Sequence, residues 1–181
     1  MLTNSKKIYN LSLSLLILAI TTLFSCKKVD ELLTFQISNE SAATISRTNP
    51  LNLPFNVITP NVTTNSSQQF QNNNSNVNKV KDIKLKNLKL TITNPTTQTF
   101  SFLKSIRLYI STNTSNEIEI AYLEDINSTA SVIELTTTEA KLDEYIKADK
   151  FSLRMSVVTK QNLTQDVDIK INSIFNVTAN L

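Results

Sequence analysis

Serine beside lysine and carboxylate beside carboxylate are the two pairings in this chain that could do chemistry. Lys104 precedes Ser105, and Lys150 lies two residues before Ser152. A serine nucleophile needs a base, and with no histidine in 181 residues lysine is the remaining candidate. Neighbours on a strand point to opposite faces, so Lys104 and Ser105 cannot meet. Lys150 and Ser152 share an outward face, where a solvated lysine keeps its proton and makes a poor base. Glu117 with Glu119, and Asp166 with Asp168, have the spacing to divide acid and base roles. Both pairs sit on the polar phase of a strand pattern, which makes them solvated carboxylates. Glu124-Asp125 offers clustered oxygens of the kind calcium takes, without the glycine-bearing loop of an EF-hand. Zinc finds neither histidine nor a free cysteine in the folded part. A chain without glycine cannot build a phosphate-cradling loop, which excludes P-loop and Rossmann fingerprints. The expected catalytic set is empty, and no metal or cofactor is expected.

Binding signals are sparse as well. Lys79, Lys81, Lys84, Lys86 and Lys89 form a basic stretch along one strand, read as solvated positions that discourage edge pairing, or as a weak patch for anionic polysaccharide or lipid headgroups. Tyr109 alternates outward between Leu108 and Ile110 and could mark a contact surface, in a chain with no tryptophan to build a sugar platform. Asn39, Asn61, Asn113, Asn162 and Asn176 open Asn-X-Ser/Thr triplets, expected by chance in so Asn- and Thr-rich a chain. Of the formal charge of +3, Lys6 and Lys7 belong to the N-terminal segment, which leaves +1 on the remainder. That weak field argues against a nucleic-acid partner.

Cys26 is the sole cysteine, so no internal disulfide can form. It follows Lys6 and Lys7, an apolar run from Leu11 to Phe24, and Ser25. A basic start, a short apolar run and a small residue describe a secretory signal. About fourteen residues rise only ~21 Å as a helix, short of a ~30 Å hydrocarbon core. The segment Leu23-Phe24-Ser25-Cys26 resembles the lipobox read by bacterial lipoprotein signal peptidase, with Phe24 departing from the usual small or β-branched residue. The resemblance implies cleavage before Cys26, diacylglycerol on its sulfur and acylation of the new amino group, with palmitate the expected acyl chain. Two or more chains anchor a protein stably. Lys27 is not the aspartate that holds enteric lipoproteins in the inner membrane. Lys28, Asp30 and Glu31 look like a surface-export signal interrupted by Val29, and read equally as a solvated tether. With its Asn-rich, glycine-free composition, the chain resembles small Bacteroidetes lipoproteins of unknown function. That resemblance implies an envelope location, in the outer membrane and facing the periplasm or the surface, and brings no functional residues.

The elements follow from period-two alternation. Ile83 and Leu85, then Leu88, Leu90 and Ile92, form a strand whose phase slips at Lys86-Asn87, as a β-bulge requires; Asn94-Pro95 ends it. Residues 104–123 read as a hairpin turning at Asn113 to Asn116, with asparagine taking the positive-φ positions that glycine would fill. A strand follows near Val132–Leu135. Thr136 and Glu139 have capping-box spacing, and Leu142, Tyr145 and Ile146 share one face, predicting a helix over 138–148 across an open end of the sheets. Phe151 to Val157 alternate, and a long last strand follows the turn at Gln161-Asn162. Its inward set is Val167, Ile169, Ile171, Phe175, Val177 and Ala179, with Ser173 the odd member. Phe35 and Ile37, Ala43 and Ile45, and Leu51 to Val57 suggest short edge strands, and 61–78 a long polar loop.

These patterns predict a lipoprotein signal peptide over 1–25, the lipidated cysteine and tether over 26–32, and one domain over 33–181. The domain is expected to be an all-β antiparallel β-sandwich of immunoglobulin-like architecture with one short helix. The expected function is a non-catalytic binding or structural module, held to the membrane by lipid, with an unknown protein or polysaccharide partner. The alternatives are an accessory enzyme domain or inhibitor acting on envelope polymers, and a glycan- or calcium-binding adhesin.

Overall fold

Residues 34–179 are described by the structure, a computed structural model; the signal segment, Leu23, Phe24, Ser25 and Cys26 lie outside the described residues. Alternation sets the architecture. Strand β10 (Val167–Ala179) buries Val167, Ile169, Ile171, Ser173, Phe175 and Val177 and leaves the intervening residues at the surface, with Ala179 half-buried. It lies inside a four-stranded sheet, between β1 (Thr34–Ile45) and β4 (Val80–Asn94), with β7 (Val132–Glu134) beyond β4. The second sheet runs β2 (Phe55–Ile58), β9 (Lys150–Thr159), β5 (Leu103–Ser111), β6 (Ile118–Leu123) and β8 (Thr136–Thr137), with β3 (Val62–Thr63) also pairing β9.

The pairs β5–β6, β4–β7, β2–β9 and β1–β10 make one long hairpin of eight strands. That hairpin is rolled so that β4 meets β10 and β5 meets β9. This is a jelly roll. The antiparallel sandwich is as expected, and the immunoglobulin-like order is corrected. In an immunoglobulin domain the first two strands share a sheet; here β1 and β2 lie in different sheets. Alternation fixes which side of a strand is buried and carries no information about which strand lies beside it.

The β4 bulge falls where the phase slips. Leu85 faces Phe175 and Asn87 faces Ile174, which leaves Lys86 as the extra residue. Among the described residues the positions with positive φ are Asn52, Asn65, Asn74, Asp82 and Asp125, side chains that tolerate the left-handed region when glycine is absent. The turn at 113–116, where asparagine is expected to do so, has none. β4 ends at Asn94, whose bond to Pro95 is cis.

Four expectations change. The two short strands expected around Phe35 and Ala43 are the single strand β1. Its inward positions Asn39 and Ser41 are polar and only half-buried, which hides the continuity from a hydrophobic pattern. Leu51 and Leu53 lie outside β2 and are exposed. The polar stretch 61–78 contains β3 and a helix, α1 (Ser66–Asn72), whose one large buried side chain is Phe70. A single apolar anchor in seven residues produces no periodic signal. The helix expected over 138–148 is the shorter α2 (Asp143–Lys147). Its capping box does not form, because Thr136 pairs with Tyr122 in β8 and Glu139 binds Lys84. The anticipated face is right: Leu142, Tyr145 and Ile146 are buried. α2 packs against β4 and β9, one strand from each sheet, and against α1, closing one end of the core.

Candidate functional site

The residues singled out as catalytic pairs are engaged separately. Ser152 donates to Asn61 Oδ1 at 2.7 Å, and Lys150 is exposed at the start of β9. Lys104 is exposed beside the irregular step at the start of β5. Asp166 accepts the Arg47 N–H at 2.9 Å, while Asp168 accepts the Thr44 hydroxyl at 2.7 Å and the Asn94 amide at 3.2 Å. Both aspartates therefore tie β10 to its surroundings. Glu124 binds Arg107 at 2.5 Å, and the adjacent Asp125 takes a left-handed turn conformation. Among the described residues no three carboxylates or other metal-binding side chains converge. Of the basic stretch, Lys84 binds Glu139 at 2.7 Å, which raises its ammonium above the ordinary value, and Lys79, Lys81, Lys86 and Lys89 are exposed.

Where side chains do converge is the outer face of the second sheet, around Tyr109. The register places Arg154 of β9 and Glu119 of β6 on either side of it, with Ile58 of β2 beyond Arg154. Arg154 lies over the Tyr109 ring, its Cζ 4.1 Å from the centroid. It donates through Nε and Nη2 to the two oxygens of Glu117 at 2.9 and 2.5 Å, and through Nη1 to Asn56 Oδ1 at 2.8 Å. One register step away, Arg107 repeats the arrangement. It lies 5.7 Å from the Tyr122 centroid, contacts Glu119 at 3.0 Å, and contacts Glu124 at 2.5 Å. A planar guanidinium suits this use, since it can stack on a ring and fork onto a carboxylate at once.

Electrostatics follow from that geometry. The bidentate bond from Arg154 holds the Glu117 carboxyl below its ordinary value, so Glu117 is a poor proton acceptor. Burial at the sheet surface, reinforced by Glu119, pushes the Tyr109 phenol up. Beside Arg154 and Glu117 an open groove of about 400 Å³ runs between exposed Ile58 and the Thr112–Thr114 turn. The turn is held firmly. Asn116 Oδ1 accepts the N–H groups of Thr112 and Asn113 at 3.0 and 3.2 Å, and the buried Tyr145 hydroxyl donates to the Asn116 carbonyl at 2.5 Å. The groove thus has one wall fixed by hydrogen bonds, an ion pair already satisfied, and an exposed isoleucine on an otherwise largely polar rim. Such an arrangement can make contacts, and its bound carboxylate is poorly placed to move protons.

Tyr109, Glu117 and Glu119 lie outward as the alternation suggests, but strand register is what brings them together, and Arg107 and Arg154 carry no mark in the sequence. Their outward phase is legible, but the partners of Arg107 depend on the β5–β6 register with its irregular step after Leu108, and the ring under Arg154 on the β5–β9 register, which no local pattern fixes.

No protein-family model and no curated protein matches the chain. Among solved structures, the C-terminal domain of a chitobiase from Bacteroides fragilis is 13% identical with a TM-score of 0.29, over 61% of this chain and 65% of that one. CpGH89CBM32-5 from Clostridium perfringens, in complex with GalNAc-β-1,3-galactose, is 7% identical with a TM-score of 0.34, over 78% and 96%. The empty capsid of Triatoma virus is 6% identical with a TM-score of 0.39, over 84% and 94%. Likenesses this distant transfer no functional residue.

Proposed function

We propose that this chain is an envelope lipoprotein, cut before Cys26 and anchored by lipid on that cysteine in the outer membrane. On this reading its jelly roll acts by surface contact without catalysis or cofactor, and its partner is a protein or polysaccharide of the envelope. The observation that carries the contact reading is Arg154, stacked on Tyr109 and forked onto Glu117 beside exposed Ile58. Arginine and tyrosine dominate the energetics of contact surfaces: tyrosine buries large area at low entropic cost, and Arg154 is already held in place by its ring and carboxylate. Glu117, held ionised by its partner, lacks the proton affinity that acid–base work at neutral pH requires. The anchoring reading rests on the apolar run Leu11–Phe24 and on Leu23-Phe24-Ser25-Cys26.

Two measurements test it. Cells fed labelled palmitate should label the wild type and leave Cys26→Ala as an unlabelled precursor; a processed mutant, or an unlabelled wild type, removes the anchor. The mature lipoprotein in detergent should bind one fraction among peptidoglycan, envelope polysaccharides and envelope proteins, with Arg154→Ala weakening that binding. Turnover of any fraction that Glu117→Gln abolishes would replace the contact reading with an enzymatic one.

A further inference from the structure

Besides the two-residue β3, which pairs only with β9, four strands end the two sheets among the described residues, and β1 differs from the others. β7 has three residues, β8 two, and β2 four between Pro54 and Pro60. Shortness and proline are the usual protections of an edge. β1 has twelve residues and no proline. Its first half is covered: the Ser38 N–H donates to Gln69 Oε1 at 3.1 Å, and Asn39 Nδ2 reaches the carbonyls of Thr63 and Thr64 at 3.3 and 3.2 Å. The Ser38 bond also shows which backbone groups face away from β10. Burial alternates along β1 without a slip, so the N–H and C=O of Glu40, Ala42 and Thr44 point to the same side, where no strand among the described residues pairs with them.

Hollows lie on both sides of that free half. Ala42 leaves one on the outer face, about 420 Å³, bounded by Glu40, Asp168 and Lys170. The other, about 320 Å³, lies beneath the edge, where Ser41 faces Pro60 and Val62. An added strand sends its side chains alternately to the two faces, so it would enter both hollows while pairing with the backbone of β1. Backbone pairing supplies affinity in such augmentation, and hollows for alternate side chains supply selectivity. In the outer hollow Glu40 is paired with Lys170 at 3.6 Å, whereas the Asp168 carboxylate accepts only from Thr44 and Asn94 and has no cation among the described residues, so a basic side chain suits it. In the inner hollow Pro60 and Val62, set between Asn61 and Thr63, give an apolar patch that suits an aliphatic one.

We propose that the free edge of β1 over Glu40–Ile45 docks an extended segment of another polypeptide, with lysine or arginine on one phase and an aliphatic residue on the other, as a fifth strand of the first sheet. This surface is separate from the Tyr109 face, and the inference stands whether or not that face binds anything.

The test uses the mature protein and an end-blocked nonapeptide of alternating lysine and valine. Binding should be saturable and should slow amide exchange at Glu40, Ala42 and Thr44. Methylating the peptide nitrogens that face β1 should weaken binding by about tenfold or more, since each lost bond leaves a carbonyl unmatched. Ala42→Lys, an exposed substitution that fills the outer hollow with like charge, should do the same while the melt is unchanged. No binding at millimolar peptide, full binding by the methylated peptide, or protection elsewhere in the protein overturns the proposal. Concentration-dependent protection of the same amides without peptide would give the edge to a second copy and equally overturn it.

Discussion

Phe70→Ala should unseat a whole corner of the molecule. α1 has seven residues, no side-chain cap, no acid in its first turn and no base in its last. A helix that short does not persist in water on its own propensity. Its hold is Phe70, fully buried and set edge-on to Phe35 with ring centroids 6.3 Å apart. Deleting a buried phenyl ring costs about 3–5 kcal/mol, through lost transfer energy and the cavity left behind. Against a net stability of about 5–15 kcal/mol, that is about a fifth or more of the whole. With a urea dependence of about 2 kcal/mol per M for a domain this size, the midpoint should fall by about 1.5–2.5 M. The melting temperature should fall by roughly 8–16 °C. The local signature is more specific. Release of α1 frees Gln69 from Ser38 and from the Thr64 carbonyl, so exchange at the Ser38 amide should accelerate beyond what the global loss explains. A destabilisation below about 1 kcal/mol with Ser38 still protected would refute the claim that one aromatic side chain holds this helix.

Two further expectations concern the sheets. Truncation after Gln165 removes β10 and its buried Val167, Ile169, Ile171, Phe175 and Val177, each worth about 1.5–3 kcal/mol of burial. The product should be insoluble or protease-sensitive, and a soluble fragment with a cooperative melt would show that β10 is dispensable. Glu117 has a carboxyl lowered by Arg154, so its contribution is present above the ordinary carboxylate range and is lost as pH falls through the depressed value. Its side chain is 36% exposed, which screens the pair to about 0–1 kcal/mol. Urea midpoints of Glu117→Gln should match the wild type at low pH and lie slightly below it at neutral pH; a deficit that grows toward acid has the wrong sign.

What the sequence reveals and what it hides divide along a physical line. Alternation is a property of one strand, so β4 with its bulge at Lys86, β9, the inward set of β10 and the β5–β6 hairpin are legible from residue types, except for the irregular step at Ile120 that buries Ala121 and turns Tyr122 outward to Arg107. Strand order is a property of pairs distant in sequence, and Asp168 meets Asn94 only because the chain rolls up. The Tyr109 cluster belongs to the second class. Its residues come from β5, β6, β9 and the turn before β6, and Arg154 finds its ring through register. α1 and the continuity of β1 fail for a third reason: each depends on polar side chains that bind backbone, as Asn39 and Gln69 do. A scale that weighs only apolar residues passes over such positions.

The topology also dictates an order of events. β10, the last of the described strands, lies between β1 and β4. Until it is available, both of those strands present long unpaired edges and the first sheet is no more than the short β4–β7 pair. Its partners lie far back in sequence, as Asn172 with Lys89 shows, so loop closure must be achieved before their pairing stabilises anything. A chain crossing a membrane as an unfolded thread gains from this delay. On the lipoprotein reading proposed above, the first sheet cannot close before the C-terminal strand has crossed. Insertion of β10 then resolves two of the three exposed edges, the β4 side that faces it and one side of β1. The other side of β1 is half capped by Asn39 and Gln69, and its remaining half is the segment assigned to a partner strand.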